Sequence, residues 1–149
     1  MSGVEASQFC TFFLGDQFFG VDVTKVQEII RYQEMTQVPL TEPALQGLIN
    51  LRGQIVTAID LRRRLGFDRS PDPDKKPTNV VLRSDGGAIS LLVDEIDEVV
   101  EVDGESFEEA PATLASPLSE LVLGVHKLEG RLLLVLDVER TVDFDAASR

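Results

Sequence analysis

Short runs in which hydrophobic and polar residues alternate follow one another along this chain. Phe9, Thr11 and Phe13 alternate ahead of Gly15-Asp16-Gln17, and apolar character resumes from Phe18 to Val23. Residues 8–23 therefore predict two strands around a tight turn. Gly47 to Asp60 predicts a second hairpin, with Arg52-Gly53-Gln54 as its turn and Ile55, Thr57 and Ile59 alternating beyond it. Asp60 then stands where an N-cap starts a short helix, Leu61 to Leu65, which Gly66 ends. The window between the hairpins admits two readings. Thr24 and Gln27 have capping-box spacing, and Val26, Ile29 and Ile30 share one face of a helical turn, but a bent strand fits equally. Val38-Pro39 opens an irregular connection that also holds Pro43.

The pattern then returns. Gly47 to Arg63 aligns without a gap on Gly124 to Arg140, with both glycines (Gly53 on Gly130), Leu51 on Leu128 and Asp60 on Asp137 in register. Val23 to Ile30 aligns in the same way on Val93 to Val100. Val80 to Arg83, the Ser84-Asp85-Gly86-Gly87 turn and Ala88 to Val93 repeat the opening hairpin, and Val122 to Val142 repeats the later hairpin with a terminal helix. Between the copies, residues 69–77 carry three prolines and five charges and read as an exposed linker. The copies differ mainly in an acidic insertion, Asp103 to Glu120, expected to be a mobile surface loop. The expected class is all-β: two small barrels from two like halves, about 8–68 and 79–144, with a groove between them and flexible termini at 1–7 and 145–149.

Composition narrows the chemistry. With 149 residues, 43% of them hydrophobic, the chain has material for one ordinary core, and the formal charge of -12 disfavours nucleic acid. No run approaches the roughly 18 apolar residues of a membrane span, and the first residues lack a basic, apolar leader, so a cytoplasmic location is expected. Cys10 is alone, which excludes an internal disulfide, and its apolar run marks it as a packed small side chain. His126 is the only histidine and lies within a strand pattern, without the partners a catalytic base or a zinc site needs. No glycine pattern cradles a nucleotide, so no catalytic residue, metal or cofactor is expected. Asp94, Glu95, Asp97, Glu98 and Glu101 read as a solvated acidic face; a small acidic hydrolase or ligand-binding barrel using them is the remote alternative.

Three segments together carry a family likeness: Phe19 to Ile30, with Val26, Glu28, Ile29 and Ile30; then Val38-Pro39; then Gly47 to Leu61, with Asn50-Leu51-Arg52-Gly53. Leu91 to Asp94 and Leu136-Asp137 extend the match, which covers about residues 8 to 144. The chain resembles the CheW family, the coupling proteins of bacterial chemotaxis. The resemblance implies a single domain of two SH3-like five-stranded barrels with strands exchanged between the halves, short helices, and a hydrophobic groove at the junction. It also implies a non-enzymatic adaptor whose partners are the cytoplasmic tip of a chemoreceptor and the regulatory domain of a chemotaxis histidine kinase. Such a protein inserts in no membrane itself and reaches arrays at its inner face through receptors. The chain fits a free-standing coupler better than a fused one; an interaction module of another sensory pathway, such as surface motility or gene regulation, is the alternative. Ser90 departs from the family, which usually has a glycine near that point.

Carried over residue by residue, the likeness makes Val26, Glu28, Ile29, Ile30, Gly47, Arg52, Gly53 and Val99 the candidate partner-binding residues. Spacing alone makes the apolar triplet core, whereas the likeness moves Val26 and Ile29 towards a receptor helix held in the groove. Glu28 and Arg52 are expected to pair; their counterparts, Glu98 and Glu129, carry like charges, so the pair is expected in the first copy only. Gly53 supplies a turn conformation, Gly47 a strand start or a close approach, and the likeness places both near partner surfaces. Leu48, Ile49 and Leu51 read as core.

Overall fold

The computed structural model describes residues 6–37, 44–68, 74–84 and 87–143. The expected features at Val38-Pro39, Pro43, residues 69–73, Asp85-Gly86 and the chain ends lie outside these. The first copy forms β1 (Ala6–Leu14), β2 (Gln17–Asp22), β3 (Val26–Ile30), β4 (Leu45–Leu51), β5 (Gln54–Asp60) and α1 (Leu61–Arg64). The second forms β6 (Thr78–Ser84), β7 (Gly87–Val93), β8 (Glu95–Asp103), β9 (Phe107–Glu108), α2 (Leu118–Leu121), β10 (Val122–Leu128), β11 (Arg131–Leu136) and α3 (Val138–Val142). Asp60 and Asp137 cap α1 and α3 as equivalents, their side chains accepting from the Arg63 and Arg140 amides.

The strands assemble across the copies. One sheet runs β8-β1-β2-β11-β10-β9, the other β3-β6-β7-β5-β4. Each takes the opening hairpin of one copy and later strands of the other, four in the first sheet and three in the second. The copies meet at four pairings, the parallel β2 with β11 and β5 with β7 and the antiparallel β1 with β8 and β3 with β6. The chain leaving each outer strand then crosses to the opposite edge, so each sheet curls back on itself. After β3, Thr36 exchanges backbone hydrogen bonds with Leu48 of β4 at 2.8 and 3.0 Å. After β8, β9 pairs with β10, setting Glu108 opposite Val125 and Phe107 opposite His126. This two-residue strand makes the first sheet six-stranded where five were expected.

Three clusters hold the fold. Ile49, Leu51, Val56, Ala58, Val81 and Leu92 fill the second sheet, and Phe9, Phe18, Val102, Leu133 and Val135 fill the first. The largest lies between them and draws on both sheets and all three helices, including Phe12, Phe19, Ile59, Leu61, Leu82, Leu91, Leu118 and Val138. Each such side chain, fully buried, contributes about 1.5–3 kcal/mol, so this shared cluster outweighs any single ion pair in joining the sheets. Leu48 sits half-buried on the outer side.

The structure decides the open 24–30 window, corrects the reading of the acidic insertion and places Ser90. The 24–30 window is a strand: a 3-10 turn over Val23–Lys25 is capped by Asp22, which accepts from the Thr24 amide at 2.9 Å, and β3 follows. Asp22 reaches that amide first, so Thr24 is not the cap. The acidic insertion is not a bare loop, because it contains β9 and most of α2, and its Leu114 and Leu118, with Leu121 just beyond it, join the shared cluster. Ser90 is buried and donates to Asn79 Oδ1 at 2.7 Å, while the Asn79 amide reaches the Arg31 carbonyl at 3.2 Å. The hydroxyl that departs from the family is thereby satisfied inside the sheet.

Candidate functional site: the tied edges of the second sheet

The β4–β5 turn is built from Arg52 and Gly53, with φ of 52° and 87°. Positive φ at both central residues matches the twist of the flanking strands, as in a type I′ hairpin. The Gly53 amide donates to Asn50 Oδ1 at 2.9 Å, which holds the turn from inside. Glycine takes this conformation freely, whereas arginine takes it at a cost, and among the described residues Arg52 is the only non-glycine with positive φ. The turn aims Arg52 across the gap between the outer strands of the sheet. Its Nη2 donates to Glu28 Oε2 on β3, and Gln27 Nε2 lies 3.4 Å from the same oxygen. That hydrogen bond, with the guanidinium charge, lowers the Glu28 carboxyl pKa and raises that of Arg52. The guanidinium end stays open to solvent at 69% exposure, so the tie positions the turn more than it stabilises the fold.

A register shift at Gln27 divides the apolar triplet. Val26 and Ile29 stand opposite Leu82 and Val80, on the side facing the shared cluster, and Ile30 stands opposite Asn79 on the other face. Val26 is partly buried against the shared cluster and Ile30 against the cluster of the second sheet, leaving Ile29 42% exposed. The three do not share one face, because a bulged strand lacks the helical repeat that would align them. Val99 occupies the place of Ile29 in the second copy, on β8 of the other sheet, and is 58% exposed. Ile55, which the strand pattern placed among ordinary alternating residues, is 61% exposed one residue beyond the turn pair and Gln54. Its register partner is Asn50, and nothing in the alternation distinguished it from Ile59.

Gly47 serves the chain's own crossing. A Cβ there would stand 2.9 Å from the Thr36 carbonyl oxygen and 3.1 Å from Met35 Cβ. Gly124 does the same for β9, where a Cβ would meet the Phe107 ring and lie 2.6 Å from the Glu108 carbonyl oxygen. Gly53 has no neighbour within 4 Å of a built Cβ, so its need is conformational. The structure thus joins Glu28, Arg52 and Gly53 in one edge tie, sets Ile29 on the same outer strand, places Gly47 at the crossing, and puts Val99 on the other sheet.

The second copy is tied as well, against expectation. Arg131 Nη2 lies 3.4 Å from Asp97 Oδ2, and its guanidinium stacks 3.8 Å from the Phe18 ring centroid. The residues sit one and two positions from the aligned Glu98 and Glu129, which is why alignment missed them. The acidic run is largely engaged: Asp94 with Arg62, Glu95 with Lys75 and Asp97 with Arg131. No group of three or more potential metal ligands occurs among the described residues.

Two small barrels with exchanged strands, each closed by a crossing over a glycine, define an all-β class. A family model described as a CheW-like domain matches residues 8–145, and the chain belongs to that family. It is 31% identical to the chemotaxis protein CheW of Klebsiella aerogenes over 133 residues, covering 89% of this chain and 80% of that one. It is 29% identical over 136 residues to the CheW of Bacillus subtilis, covering 91% and 86%. The crystal structure of the scaffolding protein TtCheW from Thermoanaerobacter tengcongensis superposes with a TM-score of 0.82 at 24% identity, over 93% of this chain and 94% of that one. No helix among the described residues is long and apolar enough to cross a membrane.

Proposed function

We propose that this chain is a non-enzymatic adaptor that couples chemoreceptors to a chemotaxis histidine kinase within a signalling array. Its partners are the receptor's cytoplasmic tip and the kinase's regulatory domain, and it works at the inner face of the membrane through the receptor. Membership of the CheW-like family and relatives that are chemotaxis proteins support this reading. The observation that carries it is the edge tie itself. Arg52 is held in a costly backbone conformation, paired to Glu28 yet open to solvent, between exposed Ile29 and Ile55. Strained residues persist where the surroundings over-determine them, and they cluster at functional sites. The apolar neighbours supply the contact area, and the tie fixes their spacing.

A pull-down of the purified chain with a receptor cytoplasmic fragment and the kinase regulatory domain, both from its own source, tests the proposal. Wild type captures both. Arg52→Glu, which sets like charges against Glu28, weakens kinase capture, and Ile29→Asp weakens receptor capture. Capture of neither partner by a folded wild-type chain would overturn the coupling role. Undiminished capture by both folded variants would move the contact surfaces elsewhere.

A further inference from the structure

One corner of the molecule is filled by a guanidinium, and its equivalent in the other copy is open. In the first, Arg62 at the start of α1 donates from Nε to Asp94 Oδ1 at 2.8 Å and from Nη2 to Oδ2. Its Nη1 donates to the Asp68 carbonyl at 2.9 Å, and the Gly15 amide adds a bond to Asp94 at 2.7 Å. In the second corner the repeat places Glu139 where Arg62 stands and Thr24 where Asp94 stands. A cleft of about 490 Å³ lies there, a size that accommodates a small ligand or a pair of side chains. Phe9, Phe107, Leu123 and Val135 form its apolar wall. Asp22, Asp137 and Glu139 line it with one lysine, Lys25, whose Nζ is 3.9 Å from Glu139.

His126 supplies an independent sign of a missing partner. It is only 3% exposed, lies between Phe9 and Phe107, and lines the same cleft. Its Nδ1 is 2.7 Å from Ser106 Oγ, and that hydroxyl donates to the Asp103 carbonyl at 2.8 Å. With the serine proton on that carbonyl, Nδ1 donates to the Ser106 hydroxyl, the tautomer in which Nε2 is an acceptor. Nε2 has no hydrogen-bond partner among the described residues, and the ring lines the cleft.

We propose that this cleft receives an arginine side chain, flanked by an aromatic residue, from a partner protein. The aromatic residue packs on the Phe107 and Leu123 wall, and the guanidinium meets the Asp22 and Asp137 carboxylates while donating one N–H to His126 Nε2. Three carboxylates against Lys25, with Arg140 4.0 Å from Asp137, leave the cleft net negative and favour a cation, and the rings of Phe9 and Phe107 favour a planar one. The occupant supplies from outside the group that Arg62 supplies from within the chain at the other corner. The inference does not rest on the coupling role.

The test is an NMR titration of the full labelled chain with acetyl-Phe-Arg-amide, and separately with acetyl-Phe-Glu-amide. The arginine peptide is expected to move the His126 ring and the Leu123 methyl signals saturably, and the acidic peptide to bind at least about tenfold more weakly. Glu139→Arg, which places a guanidinium in the cleft from the chain itself, is expected to weaken binding about tenfold. Leu123→Ala, a change at an exposed position, weakens it without disturbing the fold. Equal response to both peptides, no saturable shift at millimolar peptide, or full binding by folded Glu139→Arg and Leu123→Ala overturns the proposal.

Discussion

Arg62 and Glu139 hold the same position in the two copies, yet only the corner around Arg62 is locked. There a bidentate pair with both side chains mostly buried joins α1 and the β1–β2 turn to the end of β7, linking the copies. Burial alone would raise the Asp94 carboxyl, but the hydrogen bonds from Arg62 and the Gly15 amide outweigh it, and the net shift is downward. At the other corner Lys25 and Glu139 meet at 3.9 Å, both well exposed, which contributes little. The edge ties teach the complementary point. Both copies keep an ion pair across the sheet gap, Glu28 with Arg52 and Asp97 with Arg131, although the aligned positions predict one attraction and one repulsion. Duplication preserved the frame, and each copy solved its electrostatics with whichever neighbouring residue reached.

The strongest way to break the contrast between the corners is to remove the locked pair. Arg62→Ala strands Asp94 in a partly buried site and should cost about 3 kcal/mol, whereas Glu139→Ala should cost less than about 0.5 kcal/mol. Urea unfolding of both variants measures the difference, and equal losses would mean that the corners are energetically alike. The two crossings come next. Gly124→Ala drives a Cβ into the Phe107 ring and the Glu108 carbonyl and should cost about 2–3 kcal/mol, against about 1–2 kcal/mol for Gly47→Ala at Thr36. Amide exchange should show β9 loosening in the first variant and Thr36 in the second.

The smallest effect separates His126 from Ile49, its counterpart. Burial lowers the histidine's folded pKa below its usual 6.5, so as pH falls through that value the unfolded chain takes up the proton first. Stability contributed by the neutral ring is therefore complete above about pH 6.5 and declines towards the lower folded value. Asp22, Lys25, Asp137 and Glu139 share the cleft that the ring faces, and Ser106 holds its other nitrogen. Unfolding between pH 7 and pH 5, above the usual carboxylate range, should show the decline in wild type and not in His126→Ile. The same slope in both would assign it to other groups.

Much of the frame was legible in the residues. Alternation located the hairpins, Asp60 and Asp137 announced the capped helices, and the repeat gave the order of elements, because these depend on neighbours a few positions apart. The candidate tie of Glu28 and Arg52 was legible through a family likeness, and the structure adds the turn strain that presents it. Ile55 was not legible, since an apolar residue in an alternating strand looks the same whether its face is covered or bare. The acidic insertion misled for a related reason: Leu114 and Leu118 are spaced among polar and charged residues, and only the shared cluster gives them a place to pack.

By itself the chain determined its local elements, their duplication and the positions where glycine or a capping aspartate was required, all consequences of backbone sterics and short-range hydrogen bonding. Only the tertiary structure decided which copy's strands pair with which and where the crossings pass. It alone replaced a predicted repulsion with the Asp97–Arg131 pair and left one corner open while Arg62 closed the other. Those outcomes depend on distances between residues from 12 positions apart (Thr36 and Leu48) to 115 (Phe19 and Leu134), which are set only once the strands have been exchanged.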